Sequence, residues 1–220
     1  MGHPSDWDDL REELGELDSV AIEVPVAEDW DDTLVLLQST IATDSILVGY
    51  SMGARLALAL AMECQARLNG LILISGNPGL ESESVRSQRW TSDQQVAERI
   101  RKEAPGDFLA KWYQQAVFSA TPAEIRNEEI NRKSSRDGSS WPSILLANSV
   151  SRQPNLWPRI SSLSIPILAV AGEADQKYAK IAIRLVEESQ SAQSSAVIIP
   201  ECGHIVHREQ QDLLLSLIHI

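Results

Sequence analysis

At 220 residues with 43% hydrophobic and 23% charged side chains, the chain can bury one sizeable core but not a second domain of ordinary size, and its usage excludes disordered and fibrous classes. A formal net charge of −12 offers no electropositive face to nucleic acid or to an anionic membrane, so neither is expected as a partner. Two cysteines, Cys64 and Cys202, are too few for a disulfide framework; with no bilayer-length apolar run and no signal-like start, the expectation is a reduced, cytoplasmic protein.

In chain order, the apolar run at residues 19–24 predicts a buried strand, and the helical spacing of residues 30–41 a helix after it. A second strand is expected at 45–49, a helix at 54–67 and a third strand at 71–74. The alternation then stops. Residues 83–102, 107–118 and 122–136 read as consecutive polar amphipathic helices rich in arginine and tryptophan. Strands return at 165–170 and 195–199, separated by a helix at 178–188. Alternating βαβα elements imply an α/β protein with a doubly wound, mostly parallel sheet. The interruption is most simply a cap over the strand ends, where ligands of such sheets bind. The expected organisation is therefore core at 1–77, helical cap at 78–160 and core again at 161–220.

The sharpest local signal is Gly49-Tyr50-Ser51-Met52-Gly53, placed directly after the strand Ile46-Leu47-Val48 and directly before a helix. That context is the one in which G-x-S-x-G marks a nucleophile elbow, a strained turn that presents its serine at the top of the sheet. Such a serine needs a base, and in this arrangement an acid and then a histidine follow on loops after later strands. Asp175 lies beyond the strand ending at Val170, and His204 beyond Val197-Ile198-Ile199. Taken singly, Asp175 reads equally well as a turn or capping residue and His204 as a surface loop residue. Glu173 competes for the acid role, and Cys202, His204 and His207 form a weak alternative metal set. Met52 N–H, at the helix start, is the expected oxyanion donor. The residues call for no metal or cofactor.

Several further segments carry a resemblance. Gly49-Tyr50-Ser51-Met52-Gly53-Ala54-Arg55, Gly76-Asn77-Pro78-Gly79-Leu80, Arg86-Ser-Gln-Arg89-Trp90, Trp112-Tyr113-Gln114-Gln115, Gln153-Pro154-Asn155-Leu156-Trp157, Gly172-Glu173-Ala174-Asp175-Gln176-Lys177 and Cys202-Gly203-His204-Ile205-Val206-His207 resemble the 2-succinyl-6-hydroxy-2,4-cyclohexadiene-1-carboxylate synthases of menaquinone and phylloquinone biosynthesis. The resemblance implies the α/β-hydrolase fold and a lyase that eliminates pyruvate from 2-succinyl-5-enolpyruvyl-6-hydroxy-3-cyclohexene-1-carboxylate. It implies a catalytic set of Ser51, Asp175 and His204 acting as base, and a small polyanionic substrate. Guanidinium groups clamp carboxylates in pairs, so Arg55, Arg86 and Arg89 are the expected anion contacts, with Lys177 and Lys133 behind them and Tyr50 and Trp112 as pocket walls. A monomer is expected.

Two departures accompany the resemblance. Relatives place a strand and a His-Gly loop before the position of Met1-Gly2, and that loop supplies the second oxyanion donor; its lack predicts that Met1 is an internal methionine of a longer chain. An empty strand slot between residues 19–24 and 45–49 would leave backbone groups unpaired. Pro25-Val26-Ala27 replaces a glycine-rich loop. The competing functions are a serine esterase or C–C bond hydrolase of the same fold, in which Ser51 is a true nucleophile, and an inactive truncated remnant that only binds.

Overall fold

Four apolar runs pair side by side in the computed structural model, which describes residues 2–15 and 17–218; Met1, on which the expectation about the chain start falls, lies outside the described residues. Strands β1 (Ser45–Tyr50), β2 (Leu68–Ile74), β3 (Ile167–Gly172) and β4 (Ser195–Ile199) form one parallel sheet in the order β1-β2-β3-β4. Val48 sits opposite Ile72 and Ile72 opposite Leu168. Because side chains alternate across a pleat, β2 feeds two cores at once. Leu71 and Leu73 face a cluster with Leu58 and Leu60, while Ile72 and Ile74 face one with Val170, Ile199 and Leu214.

Helices cover both faces of the sheet. Before it come α1 (Asp8–Glu13) and α2 (Trp30–Gln38), and between β1 and β2 lies α3 (Met52–Cys64). Residues 54–62 are all buried, so α3, apolar on every side except at Arg55, forms the centre of the molecule, as its leucines and strongly helix-forming alanines allow. Between β2 and β3 the chain runs through α4 (Glu83–Lys102), α5 (Pro105–Trp112), α6 (Ala123–Ser134) and α7 (Trp141–Ala147). Their shared core of Phe108, Leu109, Tyr113, Phe118 and Trp141 also takes in Ile205, the residue after His204. The cap is thus packed onto the histidine loop. Finally α8 (Gln176–Glu187) joins β3 to β4, and α9 (Val206–Glu209) and α10 (Gln211–Ile218) close the chain. The strand order never reverses; α1 and α10, packed on the face opposite α3, cover the second side. Among the described residues no helix is long and apolar enough to cross a membrane.

The strand expected at residues 19–24 does not form. Residues 19–27 make no backbone-to-backbone hydrogen bond among the described residues, and Val20 is 78% exposed. Alternating apolar residues make a segment fit for a sheet, but a strand also needs a neighbouring backbone, and β1 is paired only to β2. The helix expected at 107–118 breaks after Trp112, where Gln114 and Gln115 N–H turn back three residues to Lys111 and Trp112, and resumes as a short 3-10 turn at Ala116–Phe118.

One unforeseen element matters for the cap. The turn Pro4–Trp7 carries Asp6, 7% exposed, whose carboxylate accepts a 2.6 Å hydrogen bond from Arg136. Burial opposes its ionisation, yet the Arg136 hydrogen bond and the charges of Lys133, Arg136 and Arg132 hold its pKa down to about 2. Lys133, 8% exposed, is also bonded to Glu129 and to the Tyr113 hydroxyl. Its charge therefore serves the tie between the cap and the N-terminal turn, and the expected anion contact is corrected to a structural one.

Candidate active site

β1 passes into α3 through Ser51 alone, at φ 50° and ψ −107°. A non-glycine residue in that region carries strain of order 1–3 kcal/mol and persists only where its surroundings hold it. Here Ser51 N–H donates to Ile74 O at 2.8 Å, and Ser51 O accepts from Arg55 N–H at 3.2 Å. Gly49 permits the turn: a Cβ there would lie 2.4 Å from Gly53 O and 2.6 Å from Ala54 N. Gly53 is different, since a Cβ on it would meet nothing within 4 Å. The crowding is borne by the first glycine of the motif and not the second. Met52 opens α3, so its N–H is among the first-turn donors without an intrahelical acceptor.

The other two groups arrive on loops that are tied together. After β3, Glu173 N–H bonds to Ile199 O and Ala174 N–H to Cys202 O, and a Cβ on Gly172 would lie 2.1 Å from Gly203 O. The Ser75 hydroxyl donates to His204 O at 3.1 Å. These contacts bring His204 Nδ1 to 2.6 Å from Asp175 Oδ2 and His204 Nε2 to 3.2 Å from Ser51 Oγ. Asp175 and His204 are both buried. Glu173, the competing acid, is exposed, and its carboxylate accepts from Glu201 N–H rather than from His204. Three rings surround the imidazole, with centroids at 5.4 Å for Tyr50, 5.7 Å for Phe118 and 4.7 Å for Tyr178.

His207, a member of the weak metal set, stacks on Trp7 with centroids 5.1 Å apart and meets the tilted Tyr50 ring at 4.4 Å. His204 is committed to Asp175 and Ser51. Among the described residues no cluster of three or more His, Cys, Asp or Glu side chains could hold a metal.

Positive charge collects around Tyr178, whose ring meets the imidazole. Arg55, 8% exposed, donates to Gln153 Oε1 at 3.0 Å and to Asn148 O at 2.7 Å. Neither acceptor is charged. Burial lowers its pKa to about 10; Tyr178 opposes that shift and Arg89 adds to it. Lys177, whose ammonium lies 5.3 Å from the Tyr178 ring centroid, is lowered first by desolvation and then by Arg89, with Asp175 opposing. Arg89 is half exposed and pairs with buried Asp93 at 2.8 Å, and Asp93 in turn accepts from Ser149 at 2.6 Å. So Arg55, Arg89 and Lys177 share one field beside Tyr178.

Arg86 does not join them. Its guanidinium donates to Gln153 O at 2.8 Å and lies near Glu83, behind Arg55 on the other side of the same glutamine. Trp112 is partly buried against Phe108 in the cap core. Sequence reasoning missed Tyr178, Phe118 and Ser75. Tyr178 was within reach, because a residue three after Asp175 on the following helix returns to the same face; Phe118 and Ser75 depend on the cap's path and on a φ of 48° at Ser75, and leave no local pattern.

The chain matches the model of the alpha/beta hydrolase family over residues 2–217. It is 31% identical to the 2-succinyl-6-hydroxy-2,4-cyclohexadiene-1-carboxylate synthase of Escherichia coli (strain SMS-3-5 / SECEC), with 94% of this chain and 84% of that protein covered. To the enzyme of the same name from Enterobacter sp. (strain 638) it is 33% identical, covering 94% and 83%. The solved structure of MenH from S. aureus is similar with a TM-score of 0.80 at 27% identity, over 93% of this chain and 78% of that one. A thermophilic esterase from Thermogutta terrifontis has a TM-score of 0.72 at 22% identity, covering 98% and 84%, and shares the fold.

Proposed function

The chain belongs to the α/β-hydrolase family and, within it, to the 2-succinyl-6-hydroxy-2,4-cyclohexadiene-1-carboxylate synthases, and from that premise we propose that it is a carbon–oxygen lyase releasing pyruvate from 2-succinyl-5-enolpyruvyl-6-hydroxy-3-cyclohexene-1-carboxylate. Asp175 holds His204 with Nε2 free to accept, and His204 takes the Ser51 hydroxyl proton across their 3.2 Å contact. The Ser51 alkoxide then removes the proton alpha to the succinyl ketone. The enolate oxygen that develops is met by Met52 N–H. Its electrons move through the ring and break the bond to the enolpyruvyl oxygen; enolpyruvate leaves and becomes pyruvate by taking at its methylene carbon the equivalent of the proton held on His204, which returns the imidazole to its neutral form. Water is not consumed, and no covalent enzyme intermediate forms.

The observation that carries this reading is the cationic field beside the Ser51–His204 pair. In a protein of net charge −12, Arg55 is buried with only neutral hydrogen-bond acceptors, and the one carboxylate that favours its charge, Asp93, is already paired to Arg89; a buried guanidinium without a directly bonded counter-ion is costly unless an anion fills the site. A substrate with several carboxylates supplies that anion, with Arg55, Arg89 and Lys177 as its contacts and Tyr50 and Trp112 as walls. Arg86 supports Arg55 through Gln153. The test is pyruvate formation from this substrate, followed by reduction to lactate. The wild-type chain is expected to turn over, and Ser51→Ala to lose about 10³-fold or more in kcat; unchanged turnover in Ser51→Ala would remove Ser51 from the chemistry.

A further inference from the structure

We propose that Glu209 is the positioning residue of His204 and the point at which the cap grips the histidine loop, an inference that rests on reading His204 as the base for Ser51. Glu209 closes α9, and its carboxylate reaches back over the loop. Oε2 accepts Gly203 N–H at 2.6 Å, and Oε1 accepts Ile205 N–H at 2.9 Å. The two peptide N–H groups flanking His204 therefore converge on one carboxylate. Oε1 also accepts the Thr121 hydroxyl at 2.7 Å. Thr121 is 2% exposed and lies in the cap between Phe118, whose edge meets the His204 ring, and α6.

Gly203 shows how tightly this clasp is drawn. A Cβ there would lie 2.9 Å from Glu209 Oε2, 3.0 Å from Oε1 and 3.0 Å from Thr121 Oγ1. The glycine before the histidine makes room for the clasp. An ionised carboxylate is acceptor-only, with lone pairs enough for three donors. A carboxamide presents one acceptor oxygen and turns an NH2 toward a backbone N–H. Neither Glu209 nor Thr121 reaches the reacting atoms; both act through the placement of His204, where an ångström of drift costs about 10²-fold in rate.

The test uses phosphonylation of Ser51 by a fluorophosphonate probe, which needs the Ser51–His204 pair whether the natural reaction is elimination or ester cleavage. The maximal labelling rate is read separately from the probe concentration giving half that rate. His204→Ala is expected to slow labelling by about 10²-fold or more. Glu209→Gln is expected to lower the maximal rate about 10- to 100-fold with the half-saturating concentration unchanged, and Glu209→Asp to restore part of it. Thr121→Val, which keeps side-chain shape and removes only the hydroxyl donor, is expected to slow labelling about 3- to 10-fold. If Glu209→Gln does not fold, Thr121→Val decides: slowed labelling supports the clasp. Labelling within twofold of wild type in the folded Glu209 and Thr121 variants, while His204→Ala is slow, overturns the inference. Wild-type labelling that His204→Ala leaves unchanged instead sinks the role of His204 itself.

Discussion

The loops at the strand ends and the cap hold their functional groups by different means. At the strand ends, backbone is packed on backbone: Gly49 faces Gly53 and Ala54, and Gly172 faces Gly203 and Cys202, each at distances that leave no space for a methyl group. Ser51, Asp175 and His204 inherit their positions from that packing. Toward the cap, side chains make most of the contacts: Gln153 takes Arg55 of α3 on its side-chain amide oxygen and Arg86 on its backbone carbonyl, and Ser149 holds Asp93 against Arg89. Packed backbone has few alternatives and tolerates little change, whereas a hydrogen-bonded arginine can exchange partners. The division suits a site in which the reacting atoms stay fixed while the charges around the substrate adjust.

If this contrast holds, the largest effect on stability comes from a methyl group at the elbow. Gly49→Ala is expected to cost at least about 3 kcal/mol in urea unfolding, while Gly53→Ala, with open space at its Cβ and a better helix former in place, stays within about 1 kcal/mol of wild type. Equal costs would mean that the elbow is not held by backbone crowding. On α3, facing the cap, Arg55→Met is expected to lower kcat/KM by about 10- to 100-fold, the worth of one charge-assisted contact. Its effect on stability is expected to be about 1–3 kcal/mol, because the buried Gln153 amide oxygen and Asn148 carbonyl lose their donor while the desolvation cost of the cation is relieved.

The next effect is on pH. Burial is the main cause holding the His207 pKa down to about 3; Glu129 and Asp6 oppose it, and Lys133 and Arg208 add to it. The unfolded chain takes up a proton here below about 6.5, and the folded chain does not until about 3, so stability is full above that window and falls as pH drops through it. Between pH 7 and pH 5 the loss from this residue is about 2 kcal/mol. His207→Phe, which keeps a ring between Trp7 and Tyr50, is expected to abolish that part of the slope; an unchanged slope would show that His207 is not held neutral by burial. The smallest effect belongs to Arg86→Met. It loses one hydrogen bond to Gln153 O, about 1 kcal/mol of stability, with kcat/KM within about threefold of wild type. A larger fall in kcat/KM would put Arg86 in contact with substrate.

The same division explains what could be read from the residues alone. Backbone crowding demands glycine at fixed spacing, so the elbow, and the loops carrying Asp175 and His204, announce themselves locally. Arg55, one turn beyond Ser51 on α3, follows from helical geometry. Arg86 and Arg89 are harder to separate by sequence, because three residues along α4 set them on neighbouring paths and only the fold of Gln153 and Ser149 against that helix decides which guanidinium is left half exposed. Lys133 has the residue type of an anion contact, but Glu129, one turn earlier on α6, and the Tyr113 hydroxyl bond it directly, with Asp6, distant in sequence, 3.6 Å away. The run Val20-Ala21-Ile22 carries a strand pattern, and whether a partner backbone lies alongside is not written in those residues.

The most direct discrimination between elimination and acyl transfer is intact-mass analysis during turnover of 2-succinyl-5-enolpyruvyl-6-hydroxy-3-cyclohexene-1-carboxylate, with pyruvate measured in the same samples. If Ser51 acts as a base, pyruvate appears in amounts equal to the substrate consumed and the chain never gains mass at Ser51. A substrate-derived adduct on Ser51 that decays with water, or cleavage of simple esters without pyruvate release, would contradict it and make Ser51 a nucleophile.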